Sequence, residues 1–213
     1  MTSNSKLAEE TLVTIVDYDA GNILNAFRAV KHIGFKVELA ASPAEVSPET
    51  KVLMIPGVGA FGQGMQNLND KKFVPFIDQW VAADKPLVGI CLGMQLLFQE
   101  SCEMGQYKGL GYLKGKMDKI PVQMIDGKKF PVPHVGWAGI KMKTSDSVSQ
   151  CYFVHSYYAV DTDPNEVIGW GEYGHVKIPA IVGRKNILGF QFHPEKSAEY
   201  GLSLLQSSIL SIL

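Results

Sequence analysis

"PLVGICLGMQLLF", residues 86–98, joins an apolar run ending at Ile90 to a helical pattern starting at Leu92, with Cys91 between two glycine-flanked bonds at the junction. An apolar run without polar alternation reads as a strand buried on both faces, the signature of a parallel sheet covered by helices. The upstream chain repeats the theme. "TLVTIVDYD" (11–19) reads as a strand, and "NILNAFRAVKHIG" (22–34) as a helix with Ile23, Phe27, Val30 and Ile33 on one face and Gly34 as its stop. "KVELA" (36–40) and "KVLMIPG" (51–57) are further short strands. "GVGAFGQG" (57–64) is too glycine-rich to be regular, and a helical region follows through "FVPFIDQWVAADK" (73–85). "LGMQLLFQES" (92–101) reads as the helix after the fourth strand.

Beyond Gly109 the character changes. "YFVHSYYAV" (152–160), "EVIGWGEYG" (166–174) and "IPAIVGRKNILGFQFH" (178–193) are β-like runs separated by turn residues, so antiparallel strands are expected there. The tail, "AEYGLSLLQSSILSIL" (198–213), reads as an amphipathic helix. The expected fold is α/β: a three-layer, open, mostly parallel sheet with helices on both faces and extra antiparallel strands in the second half. Residues 12–213 form a single domain in this reading, after a polar, flexible extension over residues 1–11.

The chain has 213 residues, 46% hydrophobic and 19% charged, which suits a globular domain with a substantial core. Twenty Lys and Arg against 21 Asp and Glu leave a net charge of −1, without the basic surplus of a nucleic-acid binder. "MTSNSKLAEE" has no apolar stretch of the kind a secretory signal needs, and no run approaches the ~18 apolar residues of a membrane span. Three cysteines without CxxC spacing argue against a disulfide framework or a metal site and fit a reducing cytoplasm.

The G-x-C-x-G pattern between strand and helix has the form of a nucleophile elbow. Gly89 would permit the turn, and Gly93 would leave room for a substrate at the helix start. The helix N-terminus would favour the thiolate, and nearby N–H groups could stabilise an oxyanion. Burial as a small core residue explains the same cysteine, and it is the reading kept for Cys102 and Cys151.

A nucleophile needs a base, and a base needs an orienting group. His32 and His175 lie in surface-like contexts, while His134 in "PHVGW" (133–137) and His155 have no carboxylate close in sequence. His193, in "ILGFQFHPEKS" (187–197), is followed by Pro194, which extends the chain, so Glu195 can lie on the same side. Cys91, His193 and Glu195 then form a Cys-His-Glu constellation at two strand ends of one parallel sheet, where open α/β folds place their sites.

"GICLGMQ" (89–95) and "GFQFHPEKS" (189–197) resemble the two signatures of class I, triad-type glutamine amidotransferases. "DYDAGN" (17–22), "IPGVGAFGQGM" (55–65), "PHVGW" and "YFVHSYY" resemble the histidine-pathway branch of that family. The resemblance runs from about Val13 onward and implies the family's flavodoxin-like fold. It implies that Cys91 attacks the side-chain amide of L-glutamine, that His193 moves the protons and that Glu195 orients His193, with no cofactor and no metal. Gly57, Val58 and Gly59 would form the oxyanion strand, with Leu92 as second donor. Gln95, Glu103, Ser156 and Tyr157 would hold the amino-acid end of glutamine. The branch implies a (β/α)₈-barrel cyclase subunit as partner in a heterodimer, with Asn22, Trp137 and Lys196 at or near the interface. Another triad glutaminase, a γ-glutamyl hydrolase and an oxidant-sensing sheet protein are the rival readings.

Overall fold

The computed structural model describes residues 3–21 and 23–213, with side chains from Lys6 onward. The chain runs α1 (Ser3–Glu10), β1 (Leu12–Val16), α2 (Ile23–His32), β2 (Lys36–Ala40), β3 (Val52–Gly57), α3 (Phe61–Asp70), α4 (Phe73–Ala82), β4 (Leu87–Cys91) and α5 (Leu92–Leu96). Short strands β5 (Glu100–Ser101), β6 (Tyr107–Lys108), β7 (Lys116–Lys119), β8 (Met124–Ile125) and β9 (Lys128–Lys129) follow. Then come β10 (His134–Met142), β11 (Val148–His155), β12 (Tyr157–Val160), β13 (Val167–Tyr173), β14 (Val176–Arg184), β15 (Ile187–Phe190) and α6 (Ala198–Ser211).

Nine strands make the central sheet, in the order β11-β10-β13-β14-β15-β4-β3-β1-β2. The half from β15 to β2 is parallel and the half from β11 to β15 is antiparallel. The antiparallel share is thus larger than the sequence patterning suggested. Two apolar clusters cover the two faces. One contains Leu53, Ile55, Phe61, Phe73, Trp80 and Phe98, and the other Ile15, Met54, Val88, Phe190, Leu205 and Ile209. Alternate residues of β3 and β4 divide between them, as period-2 side chains on a strand buried on both faces must.

Several elements differ from expectation, each for a local reason. The polar stretch read as an extension forms α1 over Ser3–Glu10, and its Ala8 is buried in the second cluster. β1 ends at Val16, leaving Tyr18 in a bend. The glycine-rich segment is where α3 starts: a Cβ on Gly64 would press on Leu92 and Leu96, so glycine there brings α3 close to α5. Lys71 and Lys72, the latter left-handed (φ 63°), separate α3 from α4. α5 is only five residues long. Gly34 does take the left-handed stop conformation (φ 96°) after α2.

Candidate active site

β15, β4 and β3 are adjacent parallel strands, so their C-terminal ends converge. Gly57 is the register partner of Cys91, and Phe190 pairs with Ile90, which puts His193 three residues past the ladder on the other flank. Sheet registry alone therefore brings Gly57, Cys91 and the segment carrying His193 side by side.

Cys91 ends β4 with φ 54° and ψ −109°, a conformation that L-residues rarely adopt, and it is 5% exposed. The strain sits at the residue itself, and the flanking glycines have a different task. Gly89 and Gly189 are register partners beneath α5. A Cβ on Gly89 would strike the backbone of Gly93 and Met94, and one on Gly189 the Met94 side chain. A Cβ on Gly93 would run into the Ile55 carbonyl oxygen. The expectation that Gly89 serves the turn and Gly93 makes room for substrate is corrected: both let α5 settle onto the sheet, which fixes the first-turn N–H groups beside the sulfur.

His193 Nδ1 lies 2.7 Å from Glu195 Oε1, and both side chains are almost wholly buried. Desolvation opposes a charged ring and is the largest single influence, but the Cys91 sulfur and the Glu195 carboxylate together outweigh it and hold the imidazolium above the usual histidine range. The His193 amide donates to Tyr152 O (2.9 Å). Ser197 Oγ donates to His193 O (2.7 Å) and accepts from Tyr152 N (2.9 Å), tying the histidine turn to β11. β11 is five strands from β4 in the sheet, yet Cys91 Sγ lies 3.8 Å from Val154 O. The antiparallel half therefore curls over the C-terminal ends of the parallel strands and roofs the site.

A cavity of about 220 Å³ opens beside Cys91, lined by Val58, Gly59, Leu92, Gln95, Glu103, Ser156 and Tyr157 together with Pro133, Val154 and His155. All four residues expected to hold the substrate are here. Ser156 is the break between β11 and β12, which belong to different sheets, so the run "YFVHSYY" changes sheet at the cavity wall. Gln95 Nε2 donates to Tyr157 O and to Gln191 Oε1, both at 3.1 Å. Glu103 Oε2 accepts from the Phe61 amide at 2.7 Å and so also caps α3. Val58 N–H donates to Ala20 O at 2.9 Å. His193 and Glu195 line a small cleft on the opposite flank, with Gly21, Gly57 and Val58.

The sequence reading passed over a pair of buried histidines. His155 Nδ1 lies 2.9 Å from Tyr157 O, and its Nε2 lies 3.2 Å from His134 Nδ1. Since a carbonyl only accepts, His155 donates from Nδ1 and accepts at Nε2, and His134 donates from Nδ1. His134 is stacked between Tyr173 and Phe153. Burial pushes His134 down to about 4 and His155 to about 3, so the pair is neutral and locks the Tyr157 carbonyl that also holds Gln95. His134 and His155 are register partners, two positions of an antiparallel ladder that sequence separation does not reveal.

Of the residues expected near a partner, Trp137 is 53% exposed, Lys196 is half-buried in the turn after His193, and Asn22 lies outside the described residues. Val58, Val135 and Val154 are exposed with Trp137. Cys151 is buried and its thiol is pushed up to about 12 by burial, as befits a packing residue, whereas Cys102 is exposed against Asp118 and is not one. No cluster that could hold a metal occurs among the described residues.

A buried Cys-His-Glu row at the carboxyl ends of adjacent parallel strands, beside a cavity lined by Gln95, Glu103 and Ser156, accords with the class: the chain belongs to the class-I glutamine amidotransferases, whose family model matches residues 14–211. Within that family its relatives are specific. It is 39% identical to the "Imidazole glycerol phosphate synthase subunit HisH" of Bacillus subtilis (strain 168), over 91% of this chain and 93% of that protein. It is 37% identical to subunit HisH 1 of Legionella pneumophila (strain Lens), over 91% of this chain and 96% of that one. Among solved structures, a glutamine amidotransferase superposes with TM-score 0.72 at 16% identity, over 93% of this chain and 98% of that chain. PurLQS from Thermotoga maritima superposes with TM-score 0.70 at 20% identity, over 95% and 98% of the two chains.

Proposed function

We propose that this chain is the glutaminase subunit of an imidazole glycerol phosphate synthase, hydrolysing L-glutamine and passing the ammonia to its partner in L-histidine biosynthesis. The observation that carries the reading is the cavity that gathers Cys91, Leu92, Val58 and Gly59 with Gln95, Glu103, Ser156 and Tyr157.

In this reading the Cys91 thiolate attacks the side-chain amide carbon of glutamine. The tetrahedral oxyanion accepts from the Leu92 N–H, free in the first turn of α5, and from the oxyanion strand. His193 gives its proton to the leaving nitrogen, ammonia departs and a γ-glutamyl thioester remains. His193 then takes a proton from water, which cleaves the thioester to glutamate and restores the thiolate with its imidazolium. Glu195 keeps the ring oriented through both transfers.

Ammonia released to water at neutral pH is mostly ammonium and no nucleophile, so a dry path to a second site is required. The partner in this reading is a (β/α)₈-barrel cyclase, seated on the exposed Trp137, Val135 and Val154 beside the cavity. It would join ammonia to the ribulosyl aminoimidazole carboxamide nucleotide, yielding imidazole glycerol phosphate and an aminoimidazole carboxamide ribotide. The compartment is the cytoplasm. Among the described residues no helix is long and apolar enough to cross a membrane.

The oxyanion hole is closed at rest in this reading. β3 lies between β4 and β1, and Val58 N–H is bonded to Ala20 after β1, hence away from Cys91. Turning over the Gly57–Val58 peptide would bring that N–H to the sulfur side. The test is co-purification with a barrel cyclase and a glutaminase assay with and without the cyclase's nucleotide. Strong stimulation by the nucleotide is expected. An isolated chain that hydrolyses glutamine as fast as the loaded complex would overturn the gating.

A further inference from the structure

Tyr18 stands in the bend after β1 and is fully buried. Its hydroxyl has no hydrogen-bond partner among the described residues. A buried phenol normally finds one, so an orphaned hydroxyl calls for a reason. Its surroundings supply it. The hydroxyl is wedged against Gly57, where a Cβ would overlap it, and Ala20 Cβ borders the same spot. The unpartnered donor therefore lies against Gly57 itself, beside the peptide whose N–H is held by Ala20 O.

In a trans peptide the N–H and the carbonyl point in opposite directions. With Val58 N–H aimed at Ala20 on the β1 side, the Gly57 carbonyl is aimed towards the β4 side. Turning the peptide over exchanges them, and the Gly57 oxygen arrives facing the Ala20 carbonyl. Two acceptors then meet in a buried place, an arrangement that disfavours the open state unless a donor is at hand. We infer that the Tyr18 hydroxyl is that donor, a positioning residue that receives the Gly57 carbonyl oxygen when the oxyanion strand opens. Among the described residues the resting structure leaves the hydroxyl unpaired, the open state pairs it, and glycine at 57 leaves it the room to wait there. This inference rests on the gating proposed above.

The test is Tyr18→Phe in the complex with the cyclase, which keeps the ring and removes only the hydroxyl. With the cyclase's nucleotide bound, glutaminase kcat is expected to fall about five- to tenfold, the size of one hydrogen bond, with the KM for glutamine little changed. Alkylation of Cys91 by iodoacetamide is expected to hold, and the melting temperature of the isolated chain to hold or rise. Full stimulation of Tyr18→Phe beside a stimulated wild type would overturn this inference and leave the gating standing. A wild type that the nucleotide does not stimulate would overturn the gating and this inference with it. A variant that melts lower or fails to fold would also overturn it, because that hydroxyl would then have a structural task.

Discussion

Cys91 holds its sulfur on a strained backbone at the end of β4. The histidine beside it is fixed at three points: Glu195 at Nδ1, Tyr152 O at its amide and Ser197 at its carbonyl. Glu195→Gln keeps the shape and removes the charge that favours the imidazolium. It is expected to lower kcat by about 10²- to 10⁴-fold in steady-state assays with KM nearly constant; a loss of about twofold would deny Glu195 its role. Ser197→Ala breaks a buried and a part-buried hydrogen bond and should destabilise the chain by about 2 kcal/mol in urea unfolding. The histidines give opposite pH dependences. The folded value of His193 is raised, so its contribution is complete below the ordinary ~6.5 and fades as pH rises through the folded value. His155 is lowered to about 3, so its contribution is complete above ~6.5 and is lost as pH falls, by at most about 1.4 kcal/mol per unit. His155→Gln should therefore flatten the loss of stability between pH 6 and pH 5. An unchanged acid slope would mean the pair is not held neutral.

At the scale of elements, packing between α5 and the sheet sets the geometry of the elbow. Gly93→Ala puts a methyl group into the Ile55 carbonyl, a collision with backbone that no rotamer relieves. It is expected to cost 3 kcal/mol or about that in thermal or urea unfolding, and to displace the Leu92 N–H, with a matching fall in kcat. A variant as stable as the wild type would show that α5 is not seated by its glycines. The parallel strands were legible because continuous apolar runs between glycines have few other uses, and α2 because its period and its stop agree. The start of α3 inside "GVGAFGQG" was not, because its glycines answer to α5 and β6 rather than to their own propensity. The shortness of α5 was hidden for a related reason: Leu97 and Phe98 continue the helical pattern yet turn aside with the chain towards β5.

For the molecule as a whole, the nine-stranded sheet does two jobs: its parallel half aligns Cys91, the Gly57–Gly59 segment and His193, and its antiparallel half curls back to roof them. The first job was readable, since motif residues at adjacent strand ends need only registry to meet. The second was not. Ser197 meeting Tyr152, His134 meeting His155 and Tyr18 meeting Gly57 are contacts of long sequence separation, and no local pattern announces them. The central claim is that Cys91 generates ammonia here for use elsewhere in the complex. The most direct measurement compares wild type and Cys91→Ala, each in complex with the cyclase, for synthesis of imidazole glycerol phosphate from glutamine and from ammonium salts. The account predicts that the variant loses glutamine-dependent synthesis and keeps ammonium-dependent synthesis at the wild-type rate. Retained glutamine-dependent synthesis, or loss of both, would contradict it.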